Sequence, residues 1–323
     1  MNMMSEDQLM ARAAWLYYVG GLNQEATSKR MGLTRARVNR LLSQARETGL
    51  VSISINQRDL GLLAQEEVIR TAFALDFCIS TPPLGLSPAA DGGANSATLN
   101  MVGAATAQYL SDQLSQNPKA IIGTGWGRTL ESTSRNLTGV SAPNAKFFSL
   151  MGSLTSNSAF NPFEVVQALA QATGAEGYFL PAPFIADTEE DRDVFLSQRS
   201  IARTMDLAQR ADLAIVSVGE LEDSSLLRRQ KMITSEELNS LRSAGAVADT
   251  NGIFFDANGK ALEHNITKRA VAVGLTLLAR TRTVLLSAGH HKIEATKAVL
   301  RCGAIKGLII DGDSAIELAN MVQ

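Results

Sequence analysis

Apolar residues change their period several times along the chain, and each change marks an element. Residues 10–19 read as a helix, with Ala14, Leu16, Tyr17 and Tyr18 available for packing. Residues 24–31 predict a second helix, with Ala26 and Met31 turned inward. Gly32 then permits the positive φ of a helix C-terminus, Leu33 fills the joint, and Thr34 supplies a capping hydroxyl. From 35 to 47, Val38, Leu41, Leu42 and Ala45 recur at helical spacing and predict a third helix with one buried face. Leu50-Val-Ser-Ile-Ser-Ile55 alternates apolar and polar, as a half-buried strand does. Residues 59–73 return to helical period through Leu60, Leu63, Ala64, Val68 and Ile69, which predicts a connecting helix.

A loop-forming stretch follows at 81–93, rich in Pro, Gly and Ser. Beyond it, helices alternate with short apolar strands. Helices are predicted at 99–114, 162–173, 197–210 and 292–301, and from Thr234, where glutamates two and three residues on suggest a capping box. Residues 271–279 form a further apolar stretch. Strands are predicted at 120–123, 146–151, 176–180, 212–218, 283–287 and 307–311. Such alternation implies an α/β unit with a mostly parallel sheet covered by helices on both faces. No internal repeat is present.

The polar positions of the third helix bear on function. Arg35, Arg37, Asn39 and Arg40 lie near its start, opposite the apolar face. That division suits a recognition helix whose first turns enter the major groove. Arginine pairs with guanine through two bonds, and asparagine does the same with adenine. Lys29 and Arg46 flank the pair of helices and suit phosphates. An ordinary helical hairpin with a solvated basic face is the plainer reading. Charge decides between them: residues 11–50 hold seven basic side chains against two acidic ones, while the whole 323-residue chain sums to −2. A small basic module on an acidic body expects an anionic partner, here double-stranded DNA.

In an open α/β sheet, ligands collect beyond the carboxyl ends of the strands. Gly123-Thr-Gly-Trp-Gly-Arg-Thr129 sits at such an end, with glycines that let backbone N–H groups approach an oxyanion and Arg128 as counter-charge. It lacks the spacing of a dinucleotide fingerprint and the ending of a P-loop, and a tight strand-to-helix turn gives the same letters. Gly152, Ser153 and Asn161 bound a segment dense in hydroxyl and amide groups, suited to a polyhydroxy ligand or to any polar loop. Gly289-His-His-Lys292 offers a lysine for a phosphate or a sugar hydroxyl. Glu220, Asp249 and Asp311 end apolar runs and can accept hydroxyls. The adjacent histidines His290 and His291, even with His264, make a poor zinc site, so no metal and no cofactor are expected. No catalytic triad, paired-carboxylate motif or nucleophile elbow stands out, and nothing beside Lys292 argues for a depressed pKa.

At 45% apolar and 19% charged, the composition is that of a soluble globular protein of more than one domain. No run approaches the ~18 apolar residues of a membrane span, and the N-terminus lacks the features of a signal peptide. Cys78 and Cys302 stand apart from one another and are expected reduced. A cytoplasmic location is the expectation.

The order of these features resembles the SorC family of bacterial sugar-responsive transcriptional regulators over nearly the full length. The residues carrying the resemblance are 17–24, 37–42 and 45–51, then 122–130, 161–183, 211–219, 249–256 and 288–295. The chain departs from the family's glycines at Ala288 and at Arg301-Cys302-Gly303. The resemblance implies a Rossmann-like effector domain related to the sugar-phosphate isomerase and deaminase fold. It also implies dimers or tetramers on operator DNA that respond to a sugar, sugar alcohol or sugar phosphate. In that family, positions matching Gly123, Thr124, Gly125, Trp126 and Gly127, with Asn161, Asp249 and Lys292, line the effector pocket. The expected organisation is a helix-turn-helix domain at 1–56, a connecting segment at 57–80 and an effector and oligomerisation domain at 81–323. The alternative is a sugar-phosphate isomerase or deaminase carrying a DNA-binding module, which would need positioned acid and base residues.

Overall fold

The computed structural model describes residues 5–51, 62–85, 96–153 and 161–323. The predicted strand at 50–55, the start of the connecting helix, part of the 81–93 loop and the polar segment at 154–160 fall wholly or mainly outside these residues. The chain divides into two compact units, Met1–Ile55 and Asn56–Gln323.

The first unit is helical. Helix α1 (Glu6–Ala14) starts at a capping box built by Ser5 and Gln8, four residues earlier than its apolar pattern suggests. It runs into a π-helical turn, Trp15–Val19, so the predicted helix at 10–19 is two elements rather than one. Helix α2 (Gln24–Met31) is capped by Asn23 and closed by Gly32 in the left-handed region (φ 67°). Helix α3 (Arg35–Glu47) is capped by the Thr34 hydroxyl, which accepts from the Arg37 N–H at 3.2 Å. Val38, Leu41, Leu42 and Ala45 of α3 form the core with Met10, Ala13 and Ala14 of α1. In α2 the buried residues are Thr27 and Ser28, whereas Ala26 and Met31 are half-buried. The two hydroxyls enter the core because each donates to a carbonyl of its own helix, Thr27 to Asn23 and Ser28 to Glu25.

The second unit begins with α4 (Leu63–Ala72), β1 (Phe77–Ser80), α5 (Ser96–Gln116), β2 (Ile121–Thr124), α6 (Arg128–Asn136), β3 (Lys146–Ser149), α7 (Pro162–Thr173) and β4 (Glu176–Tyr178). Helices α8 (Glu189–Ser197) and α9 (Arg199–Gln209) lead to β5 (Leu213–Ser217). An inserted region follows: β6 (Gly219–Glu220), α10 (Leu226–Arg229), α11 (Ser235–Ser243), β7 (Ala248–Thr250), β8 (Ile253–Phe255), α12 (Asn265–Arg269) and α13 (Leu275–Arg280). Strand β9 (Thr283–Ser287), α14 (Ile293–Arg301), β10 (Gly307–Ile310) and α15 (Gly312–Asn320) complete the chain.

Seven strands pair in parallel in the order β1-β10-β9-β5-β2-β3-β4, and β6-β7-β8 form a small antiparallel sheet. Central strands β9 and β10 are buried at every residue, as parallel strands covered on both faces must be. Alternate residues feed two cores. Val284 and Leu286 join α5, α6 and α7 on one face, while Leu285 joins α4, α9, α14 and α15 on the other. From β2 the chain winds outward through β3 and β4, then returns across β2 to β5 and winds the other way. The sheet therefore reverses its winding between β2 and β5, and a crevice opens at the carboxyl ends of those two strands.

Candidate functional site

Two sets of side chains stand out, one in each unit. On the first, α3 presents Arg35, Asn39 and Arg40 to solvent on the face opposite its core. Arg37 is half-buried and pairs with Glu6 of α1 at 2.5 Å. Asn39 Oδ1 accepts from Gln24 at 3.2 Å, and Arg35 donates to the same Gln24 at 3.4 Å. Lys29 pairs with Glu25 one turn earlier, and Arg46 reaches Ser43. The arrangement is a helix-turn-helix with polar and basic groups gathered on the first turns of its second helix.

On the second unit, a pocket occupies the crevice between β2 and β5. The turn after β2 contributes Trp126, Gly127 and Arg128, the end of β5 contributes Ser217 and Val218, and the small sheet contributes Glu220 and Asp249. Lys292, at the head of α14, completes it. Gly127 adopts φ 115°, open to few residues other than glycine, and this aims the start of α6 into the pocket. The Ser217 hydroxyl holds that turn by donating to the Trp126 carbonyl at 2.6 Å. Thr250 donates to the Ser217 carbonyl at 2.9 Å and ties β7 to the same strand. Lys292 Nζ donates to the Val218 carbonyl at 2.8 Å and lies 3.6 Å from Glu220.

Asp249 faces Gly219 across the β6-β7 pair. A Cβ at residue 219 would stand 2.0 Å from Asp249 Oδ1, so only glycine leaves room for the carboxyl. Burial, then the neighbouring Glu220 carboxylate, push the Asp249 carboxyl up to about 7, against the opposing pull of Lys292 and the Gly252 N–H. Half-buried Arg128 has no ion pair among the described residues. One wall of the pocket thus accepts hydroxyls, and the other offers a guanidinium and the N–H groups of a helix start. The cavity volume is about 40 Å³, room for roughly three waters.

The Sugar-bind family, a sugar-binding domain, matches residues 60–320. The erythritol catabolism regulatory protein EryD of Brucella abortus (strain 2308) is 34% identical over 311 residues, covering 96% of each chain. The chain belongs to the SorC family of sugar-responsive transcriptional regulators. A further relative of this SorC-family chain is the transcriptional regulator LsrR of Escherichia coli (strain K12), 30% identical over 97% of this chain and 94% of that one. The crystal structure of the full-length sorbitol operon regulator SorC from Klebsiella pneumoniae superposes with a TM-score of 0.70. It is 22% identical and covers 98% of this chain and 100% of that one. Its likeness concerns the fold, which is the expected α/β architecture with a mostly parallel sheet.

Within this SorC-family architecture the pocket brings together Trp126, Gly127, Arg128, Glu220, Asp249 and Lys292 from the sequence-derived set. Gly123 and Thr124 belong to β2, where Gly123 allows Leu150 and Phe148 to pack against the strand. Gly125 lies in the turn, its N–H bonded to the Ile215 carbonyl. Gly152 and Ser153 pass beside the chain at 182–183, and Asn161 caps α7 by accepting from Phe163. None of these six lines the pocket as it stands. Asp311, expected to accept hydroxyls, instead caps α15 with one oxygen and accepts from the Gly289 N–H with the other. His264 caps α12 and His290 pairs with Glu317, and no metal-binding cluster occurs among the described residues. No described helix is long and apolar enough to cross a membrane. Ser217, Val218 and Gly219 line the pocket but are not among the expected site residues, although the stretch 211–219 is among those carrying the family resemblance.

Proposed function

We propose that this chain controls transcription of a polyol or sugar catabolic operon, binding its operator through α3 and releasing or reshaping that complex when a small polyhydroxy effector enters the β2–β5 pocket. Thr34, Arg35, Arg37, Asn39 and Arg40 would read bases, with Lys29 and Arg46 on phosphates. Trp126, Gly127, Arg128, Glu220, Asp249 and Lys292 would hold the effector, and Gly123, Thr124, Gly125, Gly152, Ser153 and Asn161 would shape the site around it. The observation that carries the reading is the meeting of Glu220, Asp249 and Lys292 at the point where the sheet reverses its winding. Hydroxyls of an effector donate to the Glu220 carboxylate, exchange hydrogen bonds with the Asp249 carboxyl and accept from the lysine, while Arg128 and the start of α6 favour a phosphate. The name of EryD, a regulator of erythritol catabolism, supports a sugar alcohol.

The protein acts as a cytoplasmic homo-oligomer, dimer or tetramer, and turns over no substrate. Its response is a population shift between arrangements of differing operator affinity, which requires that effector affinity differ between them. Lys292→Ala tests the pocket: operator binding should persist while sensitivity to sugars, polyols and their phosphates disappears. Unchanged sensitivity in that variant would remove Lys292 from the effector site.

A further inference from the structure

Gln24 is the first residue of α2, and one carboxamide there touches two side chains of α3. Its Nε2 donates to Asn39 Oδ1 at 3.2 Å, and its Oε1 accepts from Arg35 Nε at 3.4 Å. Arg35 and Asn39 stand four residues apart, on the same exposed face of the helix. We infer that Gln24 is a positioning residue for base readout, fixing which end of the Asn39 amide faces the DNA. The inference rests on the proposed role of α3 in operator recognition.

An asparagine amide carries an acceptor at one end and a donor at the other, and half a turn about its last side-chain bond exchanges them. Pairing with adenine needs one order only: the oxygen accepts from N6 and the nitrogen donates to N7. Free in solvent, the side chain populates both orders. Here the order is set by a chain of hydrogen bonds with an unambiguous start. The Arg35 guanidinium has donors and no acceptor, so it must meet the Gln24 oxygen. That leaves the Gln24 nitrogen to meet Asn39, which must answer with its oxygen. Oδ1 keeps a second lone pair and both hydrogens of Nδ2 remain available, so orienting Asn39 consumes nothing needed for the base.

Glutamate at residue 24 would still accept from Arg35, but it has no donor for Asn39 Oδ1. It can only accept from Nδ2, which turns the amide round. Alanine would release the amide without reversing it. The two substitutions therefore have different signatures, whereas loss of mere structural support would weaken binding to all sequences alike.

The experiment uses the full chain and DNA from upstream of its own gene. The base pair read by Asn39 is located as the position whose preference disappears in Asn39→Ala, and all four base pairs are then tested there at fixed salt. Gln24→Ala should lose about three- to tenfold of the preference, with affinity for unrelated DNA within about twofold of the parent. Gln24→Glu should change which base is preferred, a ratio unaffected by its general charge repulsion. The Gln24→Ala/Asn39→Ala double variant should discriminate no worse than Asn39→Ala alone. Matching thermal unfolding curves confirm that the variants fold. Unaltered preference in both Gln24 variants overturns the inference. A parent protein without base preference at any position overturns the reading of α3 itself, and this inference with it.

Discussion

Asp249 concentrates the chemistry of the pocket in one side chain. Its carboxyl is buried beside Glu220 and is pushed up to about 7, whereas in the unfolded chain it titrates near ~3.9. Between these values the folded state binds the extra proton, so this group makes stability fall as pH rises from about 4 to 7 and has no further effect above that. Asp249→Asn removes the titration: its urea midpoint, compared with the parent's at pH 5 and pH 7.5, should show a smaller fall. An equal fall in both proteins would mean that Asp249 is not held protonated. Gly219 is the counterpart constraint. Because a Cβ there would lie 2.0 Å from Asp249 Oδ1, Gly219→Ala must displace the carboxyl. It should abolish the effector response in a DNA-binding titration, leave operator affinity in place, and cost about 1–3 kcal/mol of stability by crowding. A response of normal size would show that the position of the carboxyl is not critical.

Among the elements, α3 has one face buried in its own core and an opposite face exposed, the one proposed to meet DNA. Leu41 is fully buried in the small core shared with α1, so Leu41→Ala should cost that unit ~2–5 kcal/mol. Operator binding should fail at a lower temperature, while effector binding, followed by protection of the second unit against thermal unfolding, should be unaffected. Loss of both together would show that the two units unfold as one. Helix α3 was legible in the sequence because four apolar positions keep its period and Thr34 marks its start. The central strands were legible because burial on both faces gives them uninterrupted apolar runs, as in Val284-Leu285-Leu286 of β9. Strand β1 (Phe77–Ser80) and the strands of the small sheet were not predicted; those of the small sheet, two or three residues each, are too short to establish a period. Hydroxyls misled in the other direction: Thr27 and Ser28 are polar in the sequence yet buried, because they bond to their own helix. The pocket was half legible for a related reason. Trp126, Gly127 and Arg128 follow a recognisable strand, while Asp249 and Lys292 lie more than 120 residues further on and meet them only through the sheet order. Asp311 has the same sequence signature as Asp249, an acid ending an apolar run, but both its oxygens serve backbone N–H groups.

For the whole molecule, the distribution of charge suits its proposed partners. Residues 1–55 hold seven basic and four acidic side chains, a balance of +3 within a chain whose total is −2, so operator affinity should fall steeply with salt as phosphate contacts are lost. Coupling between effector and DNA is reciprocal: an effector that weakens operator binding tenfold is itself bound tenfold more weakly by the DNA complex, a coupling of about 1.4 kcal/mol. In the proposed mechanism the effector must bind the two operator-affinity states differently, since a ligand of equal affinity for both shifts nothing. The most direct test is fluorescence anisotropy of the protein on DNA from upstream of its own gene, titrated at fixed salt with and without sugars, sugar alcohols and their phosphates. The account predicts binding that exceeds binding to unrelated DNA, and a curve displaced by one class of these compounds but not in Lys292→Ala. Operator binding that no compound displaces, or equal binding to any DNA, would contradict it.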